Sequence, residues 1–248
     1  MTFSFGDPSA ALHGLARLGL SDGGANALAV LFDGSEPVTV NADVDGLATT
    51  EEEPGLRWTL RLADDELAFE AIGPPADIEP SEPLARAGGM AGHEQLCRVS
   101  GTVRGRELRC LGQRGHTWGE PDWERIDSTR SLAAWLDDGS GLVLNAIRPA
   151  GCGGHEQEAT WAALLGAAGS LRVDDPRLST TYDEDGLQRR AGLELWVGED
   201  DAYPRRATGE VVCGSTLELG RLRLDCAFLQ WRMDGVAGVG RYDVLRRA

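Results

Sequence analysis

The sequence predicts an all-β protein of two packed β-barrel or curled-sheet halves related by internal duplication. Three observations predict it: short apolar runs bounded by turn formers, 33 glycines in 248 residues, and segments that recur in the same order in both halves.

In chain order, residues 27–32, 57–62, 66–72, 142–147 and 193–197 have the length and composition of strands. Several alternate apolar and polar side chains, as a strand with one wet face does. Turn formers bound them: Ser21-Asp22-Gly23-Gly24, Asp33-Gly34, Ala63-Asp64-Asp65, Asp137-Asp138-Gly139-Ser140 and Gly198-Glu199-Asp200-Asp201. The glycines serve the positive backbone angles that so many tight turns require. Helix signals are confined to one or two turns at residues 83–87, while residues 10–16 suit helix or strand. The proline-rich stretch from Gly73 to Pro83 reads as a long loop inside the first half.

The duplication rests on three pairs. Gly19-Leu20-Ser21-Asp22-Gly23 is similar to Trp135-Leu136-Asp137-Asp138-Gly139, and residues 49–56 to residues 180–187. Arg98-Val99-Ser100-Gly101-Thr102-Val103 is similar to Arg206-Ala207-Thr208-Gly209-Glu210-Val211. Their unequal offsets are absorbed in loops, where insertions are cheap. Two units follow, 1–122 and 123–248, each of a size that closes into a small barrel or curled sheet.

A net charge of −16 and a pI near 4.6 repel phosphate backbones and anionic headgroups, which counts against nucleic acid and membrane surfaces as partners. No apolar run approaches the ~20 residues of a membrane span, and the first residues lack a basic segment followed by an apolar one. Five cysteines without a CxxC spacing are expected to be reduced, mostly buried thiols, which points to the cytoplasm.

One stretch concentrates chemistry. Residues 112–125 hold one of four histidines, two of seven tryptophans, two arginines and three carboxylates. They lie where the first unit ends and the second begins, and ligand sites concentrate in clefts between domains. His116 can give or take a proton near neutral pH, and a carboxylate walled by tryptophan is pushed up by desolvation. Such a cleft suits protonation of an alkene and shielding of the resulting cation. The competing reading is an ion-pair cluster that only locks the units together.

The run Gly101-Thr102-Val103, Gly112-Gln113-Arg114-Gly115-His116-Thr117-Trp118-Gly119 and Asp122-Trp123, followed by Trp135 and Asp138-Gly139, resembles the lipocalin-like superfamily that includes carotenoid 1,2-hydratase (hydroxyneurosporene synthase). Its uncharacterised actinobacterial relatives carry Gly-x-x-Arg-Asp-His-Ser-Trp-Gly-x-Arg-Asp-Trp. The resemblance implies two packed lipocalin-like β-barrels and cofactor-independent hydratases, cyclases or pericyclase-type enzymes acting on isoprenoid or polyketide substrates. One departure bears on chemistry: Gly115 replaces the acidic residue between Arg114 and His116. If that acid gives the proton in the hydratases, His116, Glu120 or Asp122 must supply it here.

The candidate catalytic residues are therefore His116, Glu120 and Asp122. Trp118, Trp123 and Trp135 are expected to form an apolar wall, and Arg114 and Arg125 to orient carboxylates or ligand. The expected function is hydration, cyclisation or isomerisation of a hydrophobic isoprenoid- or polyketide-like molecule without a cofactor. A non-catalytic carrier with the same cavity is the alternative, and a structural protein with a collapsed interior is the third reading. The repeated Gly92-His93-Glu94-Gln95 and Gly154-His155-Glu156-Gln157 put neighbouring His and Glu on opposite strand faces, so no metal site is expected. Trp196, Phe228, Trp231 and Met233 read as core, and Arg189-Arg190 and Arg205-Arg206 as charges guarding strand edges. Gly235-Val236-Ala237-Gly238-Val239-Gly240 lacks the helix a dinucleotide turn needs.

Overall fold

Alternation along nearly every segment lets each strand give one face to an inner core and the other to a partner sheet or water. The computed structural model describes residues 1–21, 24–154, 157–198 and 203–248. The first half contributes β1 (Thr2–Asp7), β2 (Leu12–Ser21), β3 (Gly24–Asp33), β4 (Glu36–Asn41) and β5 (Ala48–Glu53). It continues with β6 (Arg57–Leu62), β7 (Asp65–Ala71), β8 (Ala76–Ile78), the single turn-and-a-half helix α1 (Pro83–Gly88), β9 (Met90–Val103) and β10 (Arg106–Gly119). The second half contributes β11 (Ile126–Leu136), β12 (Gly141–Pro149), β13 (Ala159–Gly166), β14 (Gly169–Val173) and β15 (Asp175–Tyr182). It ends with β16 (Gln188–Trp196), β17 (Arg205–Leu219), β18 (Leu222–Met233) and β19 (Val236–Arg247).

Every pairing is antiparallel, and the two sheets repeat one plan. The first runs β4-β3-β2-β1-β10-β9-β7-β6-β5 with β8 added on β9, and the second runs β14-β13-β12-β11-β19-β18-β17-β16-β15. In each sheet the first strand of the half pairs with its last: Thr2 faces Gly115, and Ser128 faces Arg246. The expected two-domain, internally duplicated all-β fold is the fold observed.

Strand equivalence corrects two of the three sequence pairs. Residues 49–56 and 180–187 both form the turn between equivalent strands, β5–β6 and β15–β16. The pair at residues 19 and 135 instead equates the β2–β3 turn with the β11–β12 turn, one hairpin out of step, and Asp22 and Gly23 lie outside the described residues. The pair at residues 98 and 206 likewise equates β9 with β17, whose true counterpart is β7. Turn residues recur in every hairpin, so short matches slip easily by one.

Residues 10 and 11 close a turn and residues 12–16 are the start of β2, so the segment that suited helix or strand is strand, and residues 83–87 are helical as expected. The proline-rich loop also forms β8, and with α1 it sends Ala76, Ile78, Leu84 and Ala85 into the core between the sheets. Arg190 and Arg206 are not edge guards. They lie on interior strands and make cross-strand ion pairs, Arg190–Glu210 at 2.9 Å and Arg206–Glu194 at 3.1 Å.

Three apolar cores follow from the alternation. Phe3, Phe5, Trp58, Leu60, Phe69 and Val99 fill the concave face of the first sheet. Leu132, Leu144, Leu195, Leu229, Trp231 and Tyr242 fill that of the second. Between the sheets lie Leu15, Phe32, Trp135, Trp161, Phe228 and Val239. Phe228 thus packs at the seam while Trp231 and Met233 face the inner core, so that expected core stripe is split between two layers. All five cysteines are free, and among the described residues no helix is long and apolar enough to cross a membrane.

Candidate functional site

The alternation of β10 sorts the motif onto two faces. Arg114, His116 and Trp118 point into the first sheet's concavity, while Gln113, Gly115 and Thr117 face the second sheet. The β9–β10 register sets His93 opposite His116, Gln95 opposite Arg114, and Glu94 opposite Gly115. Directly opposed residues share a face, so His93 joins the concave cluster and Glu94 the seam.

At the concave mouth the Arg114 guanidinium lies 4.0 Å from the Trp58 ring centre. Its Nη1 donates to His93 Nε2 at 2.8 Å; arginine has no acceptor, so the His93 nitrogen accepts and its proton sits on Nδ1. Burial first, then the Arg114 and His116 charges, push His93 down to about 4. Burial and the Arg114 charge also lower His116. Both imidazoles are neutral at pH 7, hence proton acceptors and not donors. Trp118 stands edge-on to both, 5.4 Å from His116 and 6.0 Å from His93 between ring centres, and is 49% exposed.

The remaining motif residues do not join this cluster. Glu120 and Asp122 are exposed on the connector between β10 and β11, so no tryptophan wall desolvates them. Asp122 instead shapes the connector by accepting the Glu124 backbone N–H at 3.0 Å. Trp123 is half-buried and Arg125 exposed on the same connector. Gly119 ends β10 with φ at 134°, a left-handed-side value open to glycine, which turns these residues away from the sheet. The expected roles of Glu120 and Asp122 as walled carboxylates are therefore corrected.

Trp135 belongs to a different place, the seam. There an open cleft of about 820 Å³ runs between the sheets, floored by Leu111, Trp135 and Val239. Arg98, Arg109, Asp7 and Asp137 supply its polar rim. The Trp135 Nε1 is buried without a hydrogen-bond partner, and so is Nδ1 of His13. His13 lies beside Gly6 on the neighbouring strand and stacks on Phe228, with ring centres 5.3 Å apart. A Cβ on Gly6, which lines the cleft, would come within 3.0 Å of both His13 Nδ1 and a Val239 methyl. Burial lowers His13, against the pull of Asp7, and keeps it neutral. Burial pushes Asp7 upward, but hydrogen bonds from Ser9 Oγ and the Ala10, Arg109 and Ser9 N–H groups outweigh it and hold the carboxyl below its ordinary value. The Cys110 thiol, pushed up to about 12 by burial, packs against the first sheet's inner core and is inert.

Deeper in the seam, a polar chain ties the sheets together. Asp243 accepts from Arg241 and, at 2.5 Å, from Arg17 of the first sheet. Arg241 Nε donates to Ser4 Oγ at 3.2 Å. Glu94 accepts from the Gln113 side chain and from Asn145 Nδ2 at 3.4 Å, and Asn145 in turn accepts from Ser131. Complete burial raises Glu94, opposed chiefly by the Arg241 charge.

Sequence reasoning missed His13 and Trp58, for which no local signal exists; the opposite facing of His93 and Glu94, expected from strand alternation, is what the register gives. His155 and Glu156 of the second His-Glu repeat lie outside the described residues. Among the described residues no group of three or more His, Cys, Asp or Glu is placed to hold a metal.

The profile of the family described as Domain of unknown function (DUF7064) matches residues 1–248, so the chain belongs to that family. No curated protein matches. Among solved structures, CghA with Sch210972 is similar at a TM-score of 0.65 and 12% identity, covering 100% of this chain and 87% of that one. A Nitrosomonas europaea protein assigned as AttH gives 0.61 and 15%, covering 100% and 92%. Kievitone hydratase from Nectria haematococca gives 0.54 and 11%, covering 95% and 79%. At these identities the likeness carries the two-barrel lipocalin-like fold.

Proposed function

We propose that this member of the DUF7064 family binds a hydrophobic small molecule in the cleft between its sheets and converts it, without a cofactor, by proton transfer. Hydration, cyclisation or isomerisation of an isoprenoid- or polyketide-like substrate is the reaction class. One observation carries the reading: a cleft of about 820 Å³ with an apolar floor contains a tryptophan whose buried N–H has no partner. That volume lies within the roughly 300–1,000 Å³ of small-molecule sites. The N–H groups of Trp161, Trp196 and Trp231 are likewise buried without a partner, and Trp135 is the one of the four whose side chain lines this cleft.

His13 is the proton-transfer group of the proposal; it lies beneath the cleft wall beside Gly6, which lines the cleft, and a ligand reaches its buried Nδ1 only past Gly6 and Val239. Its neutral ring and open Nδ1 suit a base that takes a proton from an activated carbon or water. Trp135 fixes an oxygen, and Arg98 or Arg109 meets a polar end at the rim. A hydratase shares the fold, and CghA was crystallised with the small molecule Sch210972, which agrees with chemistry on compact organic substrates. The carrier reading uses the same cleft, since the cavity inside the first sheet measures only about 60 Å³; binding without any product by the wild type would favour it. Cytoplasmic location is part of the proposal, supported by five unpaired thiols.

The test uses β-ionone, an isoprenoid-like enone: His13 takes a proton from water, the oxygen bonds to the β-carbon as the double-bond electrons pass to the enolate, and the proton returns to the α-carbon. Tryptophan fluorescence follows binding, and chromatography with mass detection follows addition of water or isomerisation. Trp135→Phe should weaken binding about tenfold, and His13→Gln should bind normally but give no product. Unchanged binding by Trp135→Phe would remove the cleft from the proposal, and full turnover by His13→Gln would remove His13.

A further inference from the structure

Arg114 stands apart from the other buried arginines. Arg130 is paired with Glu158 and Arg241 with Asp243, while Arg114, 6% exposed, has no carboxylate in ion-pair contact among the described residues. Its partners are the Trp58 ring and the neutral His93 nitrogen, and its Nε is buried without a hydrogen bond. The nearest acids act only from a distance, exposed Glu51 on the mouth and Glu94 on the opposite face of β9. A buried charge without its counter-charge is strongly unfavourable.

The surroundings describe what would fit. The guanidinium fork is suited to a planar carboxylate, which it can take through two parallel hydrogen bonds. His93 and His116 border it, partly open to solvent, and the exposed Trp118 indole offers a flat apolar surface beside them. The inner face behind is Phe3, Phe69 and Cys97. The Arg114 guanidinium and the Met1 ammonium, opposed by Glu51, leave about one net positive charge, which matches a single negative charge better than a phosphate dianion.

We propose that the mouth of the first sheet is a second ligand site, selective for a monoanionic carboxylate on a flat aromatic or polyunsaturated body, with Arg114 binding the carboxylate and Trp118 covering the body. The site stands independently of the cleft and of any reaction there. It gives the motif residues Arg114, His116 and Trp118 a common role in recognition.

The probe pair is 2-naphthoate and its neutral methyl ester, titrated into the full chain by calorimetry. The acid should bind at least tenfold more tightly than the ester. Arg114→Gln should bring the acid down to the level of the ester, Trp118→Ala should weaken both, and Trp135→Phe in the cleft should leave the acid unaffected. Equal binding of acid and ester would overturn the proposal. Loss of acid binding in Trp135→Phe would do the same by placing the ligand in the cleft. If Arg114→Gln fails to fold, as judged by its circular dichroism melt, the acid-to-ester ratio and Trp118→Ala decide the matter.

Discussion

Glu94 occupies the space that a side chain at position 115 would need: a Cβ built on Gly115 would lie 2.5 Å from Glu94 Oε2, directly across the β9–β10 ladder. The resemblance puts an acid at this step of the motif, and here a carboxylate reaches the same spot from the neighbouring strand. Gly115→Ala should therefore cost about 1–3 kcal/mol by overpacking. The same substitution in a Glu94→Ala background should cost much less. Urea midpoints of the four variants give the coupling energy, and additive effects would show that the two positions do not compete for space.

The concave histidines make stability fall in acid. His93 is held near 4 when folded and has an ordinary value of 6.5, so the unfolded chain takes up the proton first. The stability due to this ring is complete above pH 6.5 and is lost as pH falls from 6.5 to 4. A shift of that size is roughly 3 kcal/mol at most, reduced to about 1–2 kcal/mol by the ring's partial exposure. Urea midpoints at pH 7 and pH 4.5 should differ more in the wild type than in His93→Gln.

Glu94 works in the opposite direction. Its folded value is raised, so its contribution is full below the unfolded value of 4.5 and is lost as pH rises through the folded value. Glu94→Gln keeps the shape of the neutral acid and removes this loss. At pH 8 the variant should be at least as stable as the wild type, measured by thermal melting; a marked loss there would mean that the charged carboxylate is the form the seam requires.

Asp243 answers two arginines, one from each sheet. Asp243→Asn leaves Arg17 and Arg241 without their carboxylate and should cost about 3–5 kcal/mol, in line with breaking other buried pairs. Calorimetric unfolding checks this, and it also asks whether the sheets still melt as one unit.

Ligands that fill the cleft should protect the fold by mass action. A probe at one hundred times its dissociation constant adds about 2.7 kcal/mol. The corresponding rise in melting temperature should shrink in Trp135→Phe, and a rise of equal size would place the probe elsewhere.

Much of this fold was legible in sequence because alternation is local. Arg57–Leu62 is a strand from end to end, and the turn at 49–56 matches its true counterpart at 180–187. Register is not local, and it decides the site. Arg114, His116 and Trp118 could be seen two apart on one strand, but nothing in the chain places His93 opposite His116 or brings Trp58 under Arg114. Glu120 and Asp122 looked like site acids because they follow the motif closely, whereas the turn after Gly119 carries them into solvent. Trp135 was expected in one wall with Trp118 and Trp123 but lines the cleft between the sheets, and nothing local in the sequence sets His13 beside Gly6.

The closure of each sheet by its own first and last strands sets a schedule for synthesis. β1 emerges from the ribosome early and must wait for β10, and β11 must wait for β19. Until then both central positions are bare ladder edges, open to pairing with other nascent chains. Folding dominated by such distant pairings is slow. A nascent chain arrested before β19 would hold β11 and β18 with nothing between them, and would be a substrate for chaperones or proteases instead of a half-working protein.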